Sequence, residues 1–195
     1  MKIGLTGNIA TGKSLCYEIM TQHEKVVGFD ADAEVQRLYK EPHVIEELVL
    51  ALGDGILNVQ GELERSRIRE LFLRKPEVKK LLEDIFHPKV QASYEANVCS
   101  LDKGKVLLAD IPLLYETNRY HFDKVIVVGC SSQTQLLRLQ KRSGFDKTTA
   151  RDLACKQMCL YEKMHYADVV LWNEGNKDQL RRQIETLCNH LFLDE

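Results

Sequence analysis

The sequence has no apolar run approaching the roughly 20 residues needed to cross a bilayer, and nothing in it reads as a membrane span. It has no C-x-x-C pair; its six cysteines stand at 16, 99, 130, 155, 159 and 188. Cys155 and Cys159 lie four apart in a stretch expected to be helical, a spacing that makes neighbours on one face without making a zinc site. Reduced, mostly buried thiols are expected. There is no excess of positive charge. With 27 Lys and Arg against 29 Asp and Glu, the net charge of −2 argues against a general nucleic-acid binder while leaving room for a local basic pocket. No internal repeat, low-complexity run or linker divides the chain, and 195 residues suit one sizeable core with inserted subdomains. No apolar leader or cleavage site precedes the first strand-like run, so a cytoplasmic protein is expected.

What is present is concentrated near the start. Gly7-Asn8-Ile9-Ala10-Thr11-Gly12-Lys13-Ser14 fits G-x-x-x-x-G-K-[ST]. The apolar run Ile3-Gly4-Leu5-Thr6 precedes it, and Leu15-Cys16-Tyr17-Glu18-Ile19-Met20, without Gly or Pro, follows. The order strand, loop, helix is the context in which this motif binds phosphate. Gly7 and Gly12 lack a Cβ, so the backbone can turn left-handed and approach an anion closely. The helix opening near Lys13 adds its positive end. Lys13 suits the β- and γ-phosphates of a nucleotide, and the Ser14 hydroxyl offers a hard oxygen to Mg²⁺.

Further strands should deliver acids to the same edge. Lys25 to Phe29 reads as a second strand ending at Asp30-Ala31-Asp32, where each Asp either faces a ligand or caps a helix beginning at Ala33. Residues 33 to about 99 contain no good strand and read as helices broken at Pro42, around Gly53 to Gly61, at Pro76 and at Pro88. His87 before Pro88 should end or kink a helix. Arg65, Arg67, Arg69, Arg74 and Lys75 make that block basic, as a solvated face or a ligand surface. Lys105 to Ala109 is a continuous apolar strand leading to Asp110, which would hold Mg²⁺ directly or through water. Ile111 follows where a water-activating Glu would suit a motor ATPase.

Lys124 to Val128 and Asp168 to Trp172 complete a parallel sheet. Between them Gln133 to Tyr166 reads as two charged helical arms broken at Gly144-Phe145-Asp146, in the position of a lid. Arg138 and Arg142 share a face at i and i+4, to stabilise a phosphoryl group or to make surface salt bridges. After Trp172-Asn173-Glu174-Gly175, residues 176–192 read as a final amphipathic helix. Asn176-Lys177-Asp178-Gln179 departs from the guanine-reading N-K-x-D at its fourth position, so guanine is not assumed.

With these segments in place, the chain resembles the dephospho-coenzyme A kinase family. The resemblance is carried by Gly4 to Gly7 running into Gly12-Lys13-Ser14, by Asp30-Ala31-Asp32, by Gly61 to Arg65 and by His87-Pro88. It continues through Asp110-Ile111-Pro112-Leu113-Leu114-Tyr115-Glu116, Arg138 to Arg142, Gln157 and Ala167 to Gly175. It implies an α/β P-loop NTPase fold: a three-layer α/β/α sandwich on a five-stranded parallel sheet of order 2-3-1-4-5. The single domain would have a core of about 1–32, 100–135 and 166–195, a helical coenzyme-binding subdomain of about 33–99 and a lid of about 136–165.

The implied reaction moves the ATP γ-phosphoryl group to the ribose 3'-hydroxyl of dephospho-coenzyme A, with Mg²⁺. Neither nucleic acid nor membrane is implied as a partner, and the state is a monomer or weak homo-oligomer. Lys13 and Arg138 would stabilise the transferring group and Asp32 would be the base. Asn8, Ile9, Ala10, Thr11, Gly12, Lys13, Ser14, Leu15, Arg142 and Asn173 would surround ATP. Arg65, His87, Asp110 and Leu113 would join Asp32 on the acceptor side, and Ser14 would face the metal. Asn8 stands where the family usually has a second Gly, Glu64 replaces a common Asp, and Trp172 occupies an often acidic position. The competing expectations are another small-molecule P-loop kinase, acting on a nucleotide, a sugar or shikimate, and a nucleotide-dependent switch.

Overall fold

Ile3 and Leu5 turn one face of a strand towards the main apolar core, while Gly4 on the other face lies so close to Phe122 and Leu114 that a Cβ would collide with both. The computed structural model describes residues 1–117, 119–143 and 146–193 and builds its sheet around that strand. In chain order the first elements are β1 (Lys2–Thr6), α1 (Lys13–Met20), β2 (Val26–Asp30), α2 (Ala31–Leu38), α3 (Pro42–Leu52), α4 (Arg65–Arg74) and α5 (Pro76–Cys99). They are followed by β3 (Val106–Asp110), α6 (Leu114–Thr117), β4 (Lys124–Gly129), α7 (Ser132–Ser143), α8 (Lys147–Cys155), α9 (Leu160–His165), β5 (Val169–Trp172) and α10 (Lys177–Leu193).

All strand pairs are parallel and the order is 2-3-1-4-5. β1 is central, and every strand therefore ends at the same carboxyl edge. The register sets Leu5 beside Asp110, and Asp110 beside Asp30. Cys16, Ile19 and Met20 of α1, with Leu180, Ile184 and Cys188 of α10, cover one face of the sheet. This α/β part, residues 1–30 and 100–195, is one compact unit. Residues 31–99 form a second, all-helical unit in which α5 packs against α2, α3 and α4.

Several details differ from the sequence-based expectations. The helix after β2 begins at Ala31 rather than Ala33, so no loop intervenes and Asp32 lies in the first turn of α2. Pro88 lies inside the continuous, 24-residue α5. It has no N–H for the Asp84 carbonyl, but Ile85, Phe86 and Val90 around it are buried. Lys89 ties the turn by donating to the Ile85 carbonyl at 3.2 Å while pairing with Glu47 at 2.6 Å.

Among its described residues the charged stretch before β5 contains three helices, not two arms; residues 144 and 145 of the expected break lie outside the described residues. The thiols are also more open than expected: Cys16, Cys130 and Cys188 are buried, whereas Cys99, Cys155 and Cys159 are exposed. Finally, Asn176 and Gln179 form a reciprocal cap on α10. Gln179 N–H donates to Asn176 Oδ1 at 2.9 Å, and Asn176 N–H donates to Gln179 Oε1 at 3.0 Å.

Candidate active site

The phosphate loop is shaped by positions where a side chain has no room. Gly12 has φ 102°, and a Cβ there would collide with Asn173 Nδ2. A Cβ on Gly7 would run into the Val128 carbonyl of β4. Ala10, at φ 63°, is left-handed although it is not glycine, a conformation that persists only where the surroundings over-determine it.

Those surroundings are specific hydrogen bonds. Thr11 Oγ1 donates to the Asn8 carbonyl at 2.8 Å, closing the loop on itself. The Thr11 carbonyl accepts from Asn173 Nδ2 at 2.8 Å and Arg138 Nη1 at 3.2 Å. Arg138 Nη2 donates to the Asn173 carbonyl at 2.9 Å. The guanidinium has five N–H donors, so this seat leaves others for a ligand.

The loop ends in α1 with no side-chain cap and no acid in the first turn. The first-turn amides of Lys13, Ser14 and Leu15 have no acceptor within the helix, an arrangement suited to an anion. Ser14 is exposed, while the Leu15 side chain packs against the core, so Leu15 can meet a ligand through its backbone. Lys13 Nζ pairs with Asp110 Oδ1, with side chains only 14% and 6% exposed. Burial and then the charges of Asp30 and Asp110 push the Tyr17 phenol up to about 12, so it stays neutral beside these acids.

The α7 end of the site is also braced. Glu174, after β5, accepts from Ser131 N–H at 2.7 Å, Ser131 Oγ at 2.8 Å and Thr134 Oγ1 at 2.6 Å. These bonds hold its carboxyl below the usual range. Ser131 Oγ in turn accepts from Thr134 N–H at 3.1 Å, capping the helix that carries Arg138.

Lys13, Asp110, Arg138, Asn173 and residues 8–15 thus meet at the carboxyl edge of the sheet. Leu113, just beyond β3, is 43% exposed. The Arg142 side chain lies outside the described residues. In the helical unit, Arg65 and His87 line a common cavity of about 340 Å³ with Tyr39, Arg69, Phe72 and Phe86. Arg65 stacks over the Tyr39 ring at 4.9 Å and donates to Gln36. Asp32 is exposed in that unit.

Sequence reasoning assigned no role to Gln135 and Gln157, which bond the loop at Ile9, or to Glu116 and Lys163, which hold the segment at Met158 beside it. Gln157 and Glu116 entered only as carriers of resemblance, and Lys163 sits in the charged helical stretch read as a lid, without being singled out. Its ammonium is nevertheless fully buried and 2.8 Å from Glu116.

A phosphate loop between β1 and α1, closed by an acid at the end of β3 on a 2-3-1-4-5 parallel sheet, is the P-loop kinase fold. The chain belongs to the dephospho-CoA kinase family: the family model described as "Dephospho-CoA kinase" matches residues 1–179. A dephospho-CoA kinase of Geobacillus kaustophilus (strain HTA426) is 38% identical over 189 residues, 94% of this chain and 93% of that protein. The crystal structure of TT1252 from Thermus thermophilus superposes with a TM-score of 0.82 at 26% identity, covering 98% of this chain and 97% of the other. The dephospho-CoA kinase of Campylobacter jejuni, at 23% identity, shares the fold with a TM-score of 0.72 and covers 98% of this chain and 97% of its own.

Proposed function

We propose that the chain transfers the γ-phosphoryl group of ATP to the ribose 3'-hydroxyl of dephospho-coenzyme A, yielding coenzyme A and ADP. The observation that carries this reading is the convergence of Lys13, Asp110 and Arg138 on the phosphate loop, in a chain of this family.

Phosphoryl transfer asks a protein for alignment and charge neutralisation more than for covalent chemistry. Lys13 meets the β- and γ-phosphates, exchanging part of its pairing with Asp110 for them. The first-turn amides of Lys13, Ser14 and Leu15 receive phosphate oxygens, and the loop from Asn8 to Gly12 surrounds them, with the Ile9 N–H held by Gln157. Arg138 turns its remaining donors to the group in flight, with Arg142 on the same helix. Asn173 stands beside the nucleotide while holding the Thr11 carbonyl. Asp32, two residues along the chain from Asp30, accepts the hydroxyl proton.

Mg²⁺ fits the donors present. Among the described residues no group of three or more His, Cys, Asp or Glu could form a protein cage, but Mg²⁺ typically takes one or two protein oxygens with phosphates and water. Ser14 would supply a hydroxyl, with the acids at the ends of β2 and β3 nearby along the edge. The ion would neutralise charge between the β- and γ-phosphates.

The acceptor belongs to residues 31–99, as a coenzyme-binding subdomain. The cavity lined by Arg65, Arg69, Phe72 and His87 combines cationic and apolar walls suited to a phosphorylated molecule with a long uncharged arm. Residues 136–165 act as the lid. The setting is cytoplasmic; among the described residues no helix is long and apolar enough to cross a membrane.

The test is direct. Purified protein with ATP and Mg²⁺ should convert dephospho-coenzyme A to coenzyme A, with ADP formed in step. ATP turnover indifferent to added dephospho-coenzyme A, or a stronger response to shikimate or a nucleoside monophosphate, would sink the reading.

A further inference from the structure

Ile9 has both backbone polar groups occupied by glutamine side chains from the second half of the chain. Its N–H donates to Gln157 Oε1 at 2.8 Å, and its carbonyl accepts from Gln135 Nε2 at 2.9 Å. One residue earlier, Asn8 Nδ2 donates to the Met158 carbonyl at 3.1 Å. The linker between α8 and α9 is therefore bonded to two consecutive residues of the loop, immediately before left-handed Ala10.

The linker is anchored on its other side as well. Met158 N–H donates to Glu116 Oε1 at 3.1 Å, and the same oxygen pairs with Lys163 at 2.8 Å. Lys163 lies on α9 and is completely buried. A buried ammonium losing its carboxylate partner would be strongly unfavourable, so Glu116 is a firm post. The resulting chain runs from α9 through Glu116 to Met158, and from the linker through Asn8 and Gln157 to the loop. Glycine at position 8 could not make the first of these ties, because the donor is a side-chain amide.

We propose that Asn8 and Gln157 are positioning residues that staple the linker 156–159 to the phosphate loop, coupling nucleotide binding at the loop to the order of the linker and α9. This rests on nucleotide binding as argued above. Coupling of this kind is reciprocal: whatever orders the loop orders the linker, and loosening the linker weakens the loop's grip on phosphate. Both residues act at the phosphate loop and not on the acceptor, so the effect belongs to the nucleotide alone.

Amide exchange resolved by residue, with nucleotide affinity read from the single tryptophan, Trp172, beside Asn173, tests the staple. In the wild-type protein Mg²⁺-ATP should slow exchange at Ile9 and across residues 158–163. Gln157→Leu keeps the bulk but removes the acceptor. It should speed Ile9 exchange at least about tenfold and weaken nucleotide binding about fivefold, the loss expected for one neutral hydrogen bond. The KM for dephospho-coenzyme A should not move. Gln157→Glu retains an acceptor oxygen and should keep Ile9 protected. Asn8→Gly should lose the nucleotide-dependent protection of 158–163 while unfolding at nearly the wild-type temperature. Gln157→Leu with Ile9 still protected and wild-type affinity overturns the staple alone. Wild-type protein that binds no nucleotide overturns both the staple and the phosphotransfer reading.

Discussion

Lys13 is the residue whose environment says most about the site. Its ammonium is largely withdrawn from water and paired with Asp110, so its charge is directed at whatever lies over the loop. Lys13→Ala should lower kcat/KM at least about a hundredfold, as expected for removing a preorganised charge from a transition state. A steady-state assay of ADP formation measures this, and a variant within threefold of wild type would refute the role. Individual thiols offer an independent check on burial. Cys99, Cys155 and Cys159 should react with a thiol reagent in the native protein, and Cys16, Cys130 and Cys188 only after unfolding. Burial, followed by the Asp110 charge, pushes the Cys16 thiol far above its usual range, which makes it the slowest to react. At this scale sequence singled out residues whose signal is a local motif, as at Lys13, and was silent where the environment depends on a distant partner, as at Lys163.

Among the elements, α10 and α5 invite the clearest experiments. Asn176 and Gln179 satisfy each other's backbone amides at the start of α10, so Gln179→Ala should cost about 1 kcal/mol. That corresponds to a melting point lower by about 2–4 °C for a chain of this size. The four letters that superficially resemble a base-reading motif are thus explained by helix capping. In α5, Pro88 removes one helix hydrogen bond; Pro88→Ala should raise the melting temperature by about 2–4 °C for each kcal/mol recovered. An unchanged or lower value would mean that the proline ring contributes packing that offsets the missing bond. α10 also protects the edge strand β5, since Gln183 Oε1 accepts from Trp172 N–H and its Nε2 donates to the Trp172 carbonyl, both at 3.0 Å. The strands and the loop were legible because apolar runs and glycine spacing are local signals. Continuous α5 was not, because a proline's effect depends on what packs around it.

For the molecule as a whole, several carboxylates are held in their charged form by folding. Burial alone would raise Glu116, but its bonds with Lys163 and the backbone outweigh this and lower its pKa below the ordinary 4.5. Glu174 and Asp146 are lowered by hydrogen bonds, first from the Ser131 and Thr149 amides respectively. A depressed acid contributes fully above its unfolded value and loses that contribution as pH falls through its folded value. Stability should therefore decline below about pH 4.5. Glu116→Gln should flatten that decline while lowering stability at pH 7, in denaturant titrations at both pH values. A variant with an unchanged acid slope would show that the pair is not the acid-sensitive contact.

The sequence by itself determined the strand, loop and helix that open the chain, the parallel α/β class, the helical block after the second strand, and the family resemblance. These follow from period, glycine placement and motif spacing, which are properties of neighbouring residues. Only the tertiary structure decided that Asp32 lies in the first turn of a helix directly after β2, that Asn173 and Arg138 sit against the Thr11 carbonyl, and that Asn8 reaches Met158. Such contacts join residues more than a hundred positions apart, and a hydrogen bond across that separation leaves no local pattern from which it could be read.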